Sequence, residues 1–61
     1  FRSTVIIWGK NDKETKLYMA KKFHRLILNS SLHIIDGAGH FAYLDKPQEF
    51  LIILDTFVRN L

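Results

Sequence analysis

The chain contains no cysteine, a single proline and three glycines among its 61 residues. The absence of cysteine excludes disulfide bonds and thiolate metal sites. It also agrees with a reducing compartment, and we expect a cytoplasmic protein. No apolar run approaches the roughly 20 residues that cross a bilayer, so no membrane span is predicted. Since the chain lacks an initiator methionine and begins almost within a predicted strand, we expect it to be part of a longer polypeptide.

The net charge is a modest +3, from nine basic and six acidic residues. Five of the basic residues fall between Lys13 and Arg25, in a segment predicted to be helical, which is typical of a solvated helix face. No aromatic stacking pattern accompanies them, so a nucleic-acid partner is not predicted. A chain this short buries only about 60% of its unfolded surface. We therefore expect its stability to depend on contacts with other protein.

Apolar patterning predicts the order strand, helix, strand, helix. Residues 5–8 (VIIW) and 32–35 (LHII) are short, β-branched runs, and the first is typical of a strand buried on both faces of a parallel sheet. Residues 16–28 predict an amphipathic helix with Thr15 as its N-cap. Pro47 suits the first position of a second helix. The class is therefore α/β, a βαβα segment with two parallel strands joined by a right-handed crossover.

The second predicted helix is apolar around almost its whole circumference, so we expect it to be buried on more than one side. Two parallel strands also cannot cover their own faces and edges. The pattern therefore predicts sheet neighbours outside this chain, either the rest of a longer polypeptide or further copies of the chain.

Two polar side chains follow the carboxyl ends of the predicted strands, where functional loops gather in open parallel sheets. Asp12 closes the segment GKND after the first strand, and His40 closes GAGH after the second. Adjacent parallel strands lie about 4.8 Å apart, so these loops can bring the two side chains into contact. A carboxylate that accepts from one ring nitrogen leaves the other free as a general base. The pattern predicts an acid–histidine pair.

Other residues offer competing interpretations. Asp36 and Asp45 are rival acids, but both are too near His40 in sequence to approach its ring from a facing loop. His24 is expected to be exposed and His33 to be a structural histidine of the sheet, so no metal site is predicted. Trp8, Phe41 and Tyr43 either pack on the core or form a wall of a substrate pocket.

Residues 9–12 (GKND), 37–41 (GAGHF) and 47–50 (PQEF) together resemble the C-terminal end of an α/β-hydrolase, in order and with fitting spacing. The resemblance covers nearly all of the chain, and it is to the branch with esterases, lipases, epoxide hydrolases, dehalogenases and aminopeptidases. It implies that Asp12 is the acid and His40 the base of a Ser-His-Asp triad, and that Phe41 is a candidate substrate contact. It implies a small-molecule substrate and no cofactor or metal.

The nucleophile of that family sits on a Gly-x-Ser-x-Gly turn before the acid. Ser3, Ser30 and Ser31 are the serines of this chain, and none is flanked in that way. Residues 1–61 are therefore expected to be the C-terminal fragment of a single α/β-hydrolase domain, without the nucleophile, oxyanion hole and lid, and inactive alone. The intact protein would hydrolyse an ester, amide, epoxide, or carbon–carbon bond beside a carbonyl. The alternative is a non-catalytic hydrolase-like protein, or a module that associates through its sheet edge.

Overall fold

The computed structural model describes residues 3–61. Its elements follow the predicted βαβα order, with one additional short helix. They are β1 (Thr4–Gly9), α1 (Leu17–Leu26), β2 (Ser30–Ile35), α2 (Ala42–Asp45) and α3 (Pro47–Arg59).

The two strands form a parallel pair, which confirms the predicted α/β class. Thr4 lies opposite Ser30, and Gly9 lies opposite Ile35, so the strands begin and end level with each other. Both loops that leave the carboxyl ends therefore emerge at the same edge of the sheet.

The two long helices cover opposite faces of this sheet. Ile7 packs with Ile35, Phe50 and Ile53, which places α3 against that face. The next residue, Trp8, points to the other face because side chains alternate along a strand. There its ring lies 6.1 Å from that of Phe23 in α1, centroid to centroid.

The core of the described residues is small. Its buried apolar side chains are Ile6, Ala20, Ile35, Ala38 and Ala42. Residues 5, 7 and 8 of β1 are only partly buried, so the expectation of a strand covered on both faces is met only in part.

Burial of the last helix on more than one side is not achieved by residues 3–61 themselves, so it stays a prediction about contacts outside this chain. No residue of α3 is buried. The helix rests on the sheet through one stripe, and its opposite side exposes Leu51, Ile52 and Val58 to solvent. Within residues 3–61 the sheet contacts only the opposite side of α3, and no other element covers this one.

The start of α1 also differs from the prediction. The N-cap is Lys16, which makes no capping bond with its side chain, and the helix runs over 17–26 rather than 16–28. Thr15 does not cap the helix because its hydroxyl donates to the carboxylate of Asp12 instead. Ile27 has already returned to an extended backbone, with φ −95° and ψ 103°.

The chain between His40 and α3, predicted as a loop, holds the single turn α2. Pro47 stands at the first position of α3 as predicted, since its missing N–H would have no partner there. Among residues 3–61, no helix combines the length and apolarity that a bilayer span needs.

Candidate active site

Glycine at position 9 allows the two strand-end loops to meet. A Cβ on Gly9 would collide with the backbone carbonyl oxygens of Ala38 and Gly39. The loop after β2 can therefore cross directly over the end of β1. Gly37 makes the necessary turn with φ +76°, a left-handed conformation that glycine adopts without the strain of a side chain.

Asn11 then joins the two loops through both its backbone and its side chain. Its N–H donates to the Ala38 carbonyl at 2.9 Å. Its Oδ1 accepts from the N–H of Gly37 at 3.0 Å. These bonds fix the loop that carries the histidine relative to the loop that carries the acid.

The two rival acids have other partners. Asp45 accepts a hydrogen bond from the N–H of Gly39 at 2.7 Å, which holds the backbone next to His40. Asp36 lies on the surface, 3.4 Å from the ammonium of Lys10. Neither carboxylate contacts the ring of His40 in the described structure.

Asp12 and His40 are brought into contact. His40 Nδ1 lies 3.0 Å from Asp12 Oδ2, and the Asp12 side chain is 5% exposed against 39% for His40. Because an ionised carboxylate can only accept, Nδ1 must carry the proton. The other nitrogen, Nε2, makes no hydrogen bond within residues 3–61, so it is available to a reacting group.

The carboxylate of Asp12 receives four hydrogen bonds, as many as its two oxygens can accept. Oδ1 accepts from the backbone N–H groups of Glu14 and Thr15, each at 2.9 Å. Oδ2 accepts from the Thr15 hydroxyl and from His40. Every donor orients the charge, and the group is buried without an unpaired atom.

These contacts shift the pKa values of the pair in opposite directions. Burial alone raises the pKa of Asp12, but the hydrogen bonds from Thr15, His40 and Glu14 outweigh it and hold that pKa well below its ordinary value of 3.8. The hydrogen bond to Asp12 raises the pKa of His40 above 6.5, against a smaller opposing effect of desolvation. Glu14, whose carboxylate is 4.0 Å from Nδ1, adds to the rise.

A shallow cleft of about 200 Å³ lies beside the pair, lined by Ile7, Trp8, Gly9, Asp12, Thr15 and His40. Trp8 packs on Phe23 and also lines this cleft, and its role in a substrate pocket stays a prediction. Its indole N–H donates to the carbonyl of Thr15 at 3.1 Å. Within the described residues the cleft is open to solvent.

Phe41 lies against His40 rather than in the cleft. Its ring meets the imidazole edge-on with centroids 5.1 Å apart, and half of its surface is exposed. Tyr43 packs edge-on against Phe41 at 6.2 Å and is similarly exposed. A substrate contact by Phe41 stays a prediction.

The remaining histidines lie apart from the pair. His24 Nδ1 is 2.9 Å from the Ser30 hydroxyl, and His33 is exposed in β2. Within residues 3–61, no three His, Asp or Glu side chains gather closely enough to hold a metal ion. Ser30 and Ser31 begin β2 and Ser3 immediately precedes β1, so the three serines lie at the opposite end of the strands from Asp12 and His40.

Sequence reasoning missed the roles of Thr15, Glu14 and Asp45. The signal for Thr15 was present as the spacing Asp-x-x-Thr, because a carboxylate readily accepts from N–H groups two and three residues later. The role of Asp45 depends on where α2 carries it, and no local pattern contains that information.

Comparison with known proteins finds similarity over most or all of the chain. A solved structure of a predicted CIB-like hydrolase from Thermoplasma acidophilum, which has the α/β-hydrolase fold, superposes with a TM-score of 0.97 at 36% identity. It covers the whole of this chain, which in turn covers 30% of that protein. No model of a known protein family matches the chain.

Two curated relatives show the same pattern. An uncharacterized protein of Mycobacterium tuberculosis is 36% identical over 53 residues, covering 87% of this chain and 16% of the relative. A 2-hydroxy-6-oxononadienedioate/2-hydroxy-6-oxononatrienedioate hydrolase of Pseudomonas putida is 34% identical over 57 residues, covering 93% of this chain and 20% of the relative. The chain thus spans a fifth or less of the length of these relatives.

Proposed function

Because the chain is similar to one segment of an α/β-hydrolase in both sequence and fold, we propose that it supplies the acid and the base of a hydrolase. Asp12 is the acid and His40 the base of a Ser-His-Asp triad. The observation that carries the proposal is the 3.0 Å contact between His40 Nδ1 and Asp12 Oδ2 at the carboxyl edge of the parallel sheet.

The contact suits His40 to proton transfer. With Nδ1–H held by Asp12, Nε2 takes the proton of the serine hydroxyl as its oxygen attacks the substrate carbonyl. The imidazolium then gives that proton to the leaving group. Nε2 next takes a proton from the attacking water and returns it to the serine oxygen as the acyl–oxygen bond breaks and the acid product leaves. Asp12 stays ionised throughout and stabilises the imidazolium.

The nucleophile comes from outside residues 1–61. The serines of this chain are at the far ends of the strands, and none stands in a Gly-x-Ser-x-Gly turn. The proposed arrangement is a C-terminal fragment of one hydrolase domain, with the nucleophile, oxyanion hole and lid in the preceding polypeptide. The exposed apolar side of α3 supports this, since a large apolar surface is normally covered by other protein.

The proposed substrate is a small molecule with a carbonyl beside the bond that breaks. Ligand pockets usually enclose roughly 300–1,000 Å³, so the open cleft of about 200 Å³ supplies one wall only. Ile7 and Trp8 make that wall apolar next to His40. Epoxides lack such a carbonyl and do not meet this description. Among ester, amide and carbon–carbon substrates, the name of the Pseudomonas putida relative favours the carbon–carbon bond, because the oxo-acid that it names contains no ester or amide.

The decisive experiment is His40→Ala in the complete protein, assayed with a nitrophenyl ester and with a 2-hydroxy-6-oxo-dienoate. Loss of the base is expected to reduce kcat by about 10²–10⁴ without loss of folding, measured by circular dichroism. His33→Ala is the matched control, since His33 is exposed in the strand and apart from the pair. A loss of less than about tenfold contradicts the proposal.

The alternative, a non-catalytic protein that associates through its sheet edge, makes a different prediction. The complete polypeptide would then lack a Gly-x-Ser-x-Gly turn before residue 1, and His40→Ala would change no turnover. Finding that motif after a predicted strand removes the alternative.

A further inference from the structure

We infer that Thr15 is a positioning residue, whose hydroxyl holds Asp12 Oδ2 in line with the ring N–H of His40. The inference deepens the proposed function, on which its kinetic readout rests. It is carried by the contacts of Thr15, which bonds to Asp12 and to Trp8 of the cleft wall and lies close to the ring of His40.

Oδ1 and Oδ2 of Asp12 are held in different ways. Two backbone N–H groups hold Oδ1, and these belong to the turn itself. Oδ2 is bound by two side chains, Thr15 and His40. Without the Thr15 hydroxyl, the carboxylate could swing about Oδ1, and His40 alone would have to hold it.

Thr15 is itself firmly placed. Its N–H donates to Asp12 Oδ1 at 2.9 Å, and its carbonyl accepts from the indole of Trp8 at 3.1 Å. The β-branched side chain restricts rotation about χ1, which limits where the hydroxyl can point. Its Oγ1 lies 3.4 Å from His40 Nδ1, so the hydroxyl, the carboxylate oxygen and the ring nitrogen form a small triangle.

A purely structural role would have different consequences. If Thr15 only stabilised the turn after β1, removing its hydroxyl would lower the melting temperature and leave the chemistry of the folded protein unchanged. If Thr15 positions Asp12, the change appears in the folded protein, in the proton on Nδ1 and in kcat. The charged groups that face His40 within the described residues are Asp12 and Glu14, and both remain in the variants.

The test compares Thr15→Val, Thr15→Ser and Thr56→Val in the complete protein. Valine keeps the shape and removes the hydroxyl, serine restores a hydroxyl, and Thr56 is a matched threonine exposed on α3. With p-nitrophenyl acetate, kcat of Thr15→Val is expected to fall about tenfold, the effect of roughly 1.4 kcal/mol. KM should change less than twofold, and Thr15→Ser should recover at least a third of kcat.

Nuclear magnetic resonance gives a readout that needs no turnover. The Nδ1–H proton of His40 should appear as a low-field resonance in the unmodified protein, Thr15→Ser and Thr56→Val, and should broaden or vanish in Thr15→Val. The pKa of His40 should fall toward its ordinary value in Thr15→Val, because its pairing with Asp12 loosens. A rise would mean that the hydroxyl merely competes with His40 for Oδ2, and would overturn the inference.

The two proposals fail separately. Absence of ester hydrolysis by the unmodified protein, with the resonance changes as expected, would overturn hydrolysis of this ester and retain the role of Thr15. An unchanged resonance and a kcat within twofold in folded Thr15→Val would overturn the role of Thr15 and leave the triad standing. Failure of Thr15→Ser to recover either readout would also overturn it.

Discussion

Replacing Asp12 with asparagine removes one charge while it preserves the shape of the side chain. In the structure, four donors converge on the carboxylate, two at Oδ1 and two at Oδ2. The single amide oxygen of Asn can accept from only one of these pairs. Because the backbone N–H groups at Oδ1 cannot turn away, the amide nitrogen is expected at Oδ2, where it faces Thr15 and His40.

The histidine must then change its tautomer. The amide N–H₂ donates to Nδ1 of His40, so the ring proton moves to Nε2, the nitrogen that should act as base. A triad whose histidine is held in the wrong tautomer loses on the order of 10⁴ in kcat. We expect a loss of about 10³–10⁴ for Asp12→Asn, since the Glu14 carboxylate remains 4.0 Å from Nδ1 and still favours a proton there.

The assay is kcat/KM of the complete protein against pH. The base must be neutral, so activity rises with pH through the pKa of His40. In the unmodified protein Asp12 raises that pKa above 6.5, which sets the acidic limb above this value. Asp12→Asn removes the raising charge, so the limb should move to lower pH while the plateau falls.

The matched control is Asp36→Asn, which removes an exposed carboxylate from a surface pair with Lys10. We expect less than a twofold change, because exposed ion pairs contribute little. Glu14→Gln in the Asp12→Asn background shows whether Glu14 sustains the residual activity. A loss of kcat below tenfold in the double variant Asp12→Asn/Glu14→Gln would refute the reasoning. So would an acidic limb that moves to higher pH in Asp12→Asn.

Three further predictions concern stability and association. Gly9→Ala should lower the free energy of unfolding by about 1–3 kcal/mol in urea titrations, because its Cβ meets two carbonyl oxygens, and an unchanged midpoint would contradict the close approach. Because the pKa of Asp12 is lowered in the folded state, its ionised carboxylate stabilises the fold at pH values above 3.8, and this contribution is lost as the pH falls below that value. The melting temperature should therefore decline more steeply in acid for the unmodified protein than for Asp12→Asn. Parallel curves of melting temperature against pH would count against the pairing. Residues 1–61 alone should self-associate and hydrolyse no nitrophenyl ester, and sedimentation of a stable monomer would argue against the need for a covering partner.

The element order was predictable because each element has a local cause. Two β-branched runs, an intervening amphipathic segment and Pro47 define βαβα without knowledge of distant contacts. The approach of Asp12 to His40 was predictable for a related reason, since parallel strands end at one edge. The protein that covers the exposed side of α3 was not predictable, because an apolar helix surface indicates contact with other protein but does not identify it.

Details of the candidate site divide in the same way. Thr15 is a residue type that often caps helix N-termini, yet its hydroxyl donates a hydrogen bond to Asp12. Propensity describes Thr15 alone, whereas the choice between a helix end and a carboxylate depends on the path of the turn after β1. Asp45 likewise lies close to His40 in sequence and was considered as an alternative acid. The turn of α2 directs its carboxylate to the Gly39 N–H instead.

Short-range patterns of apolarity, glycine and turn formers in the sequence were enough to predict the α/β class, the approximate positions of the two strands, and Asp12 and His40 as a candidate acid–histidine pair. Only the tertiary structure showed that Gly9 admits the second loop and that Asn11 joins the two loops. Those contacts join residues on different elements. Their geometry depends on the register of β1 against β2, which no local segment contains.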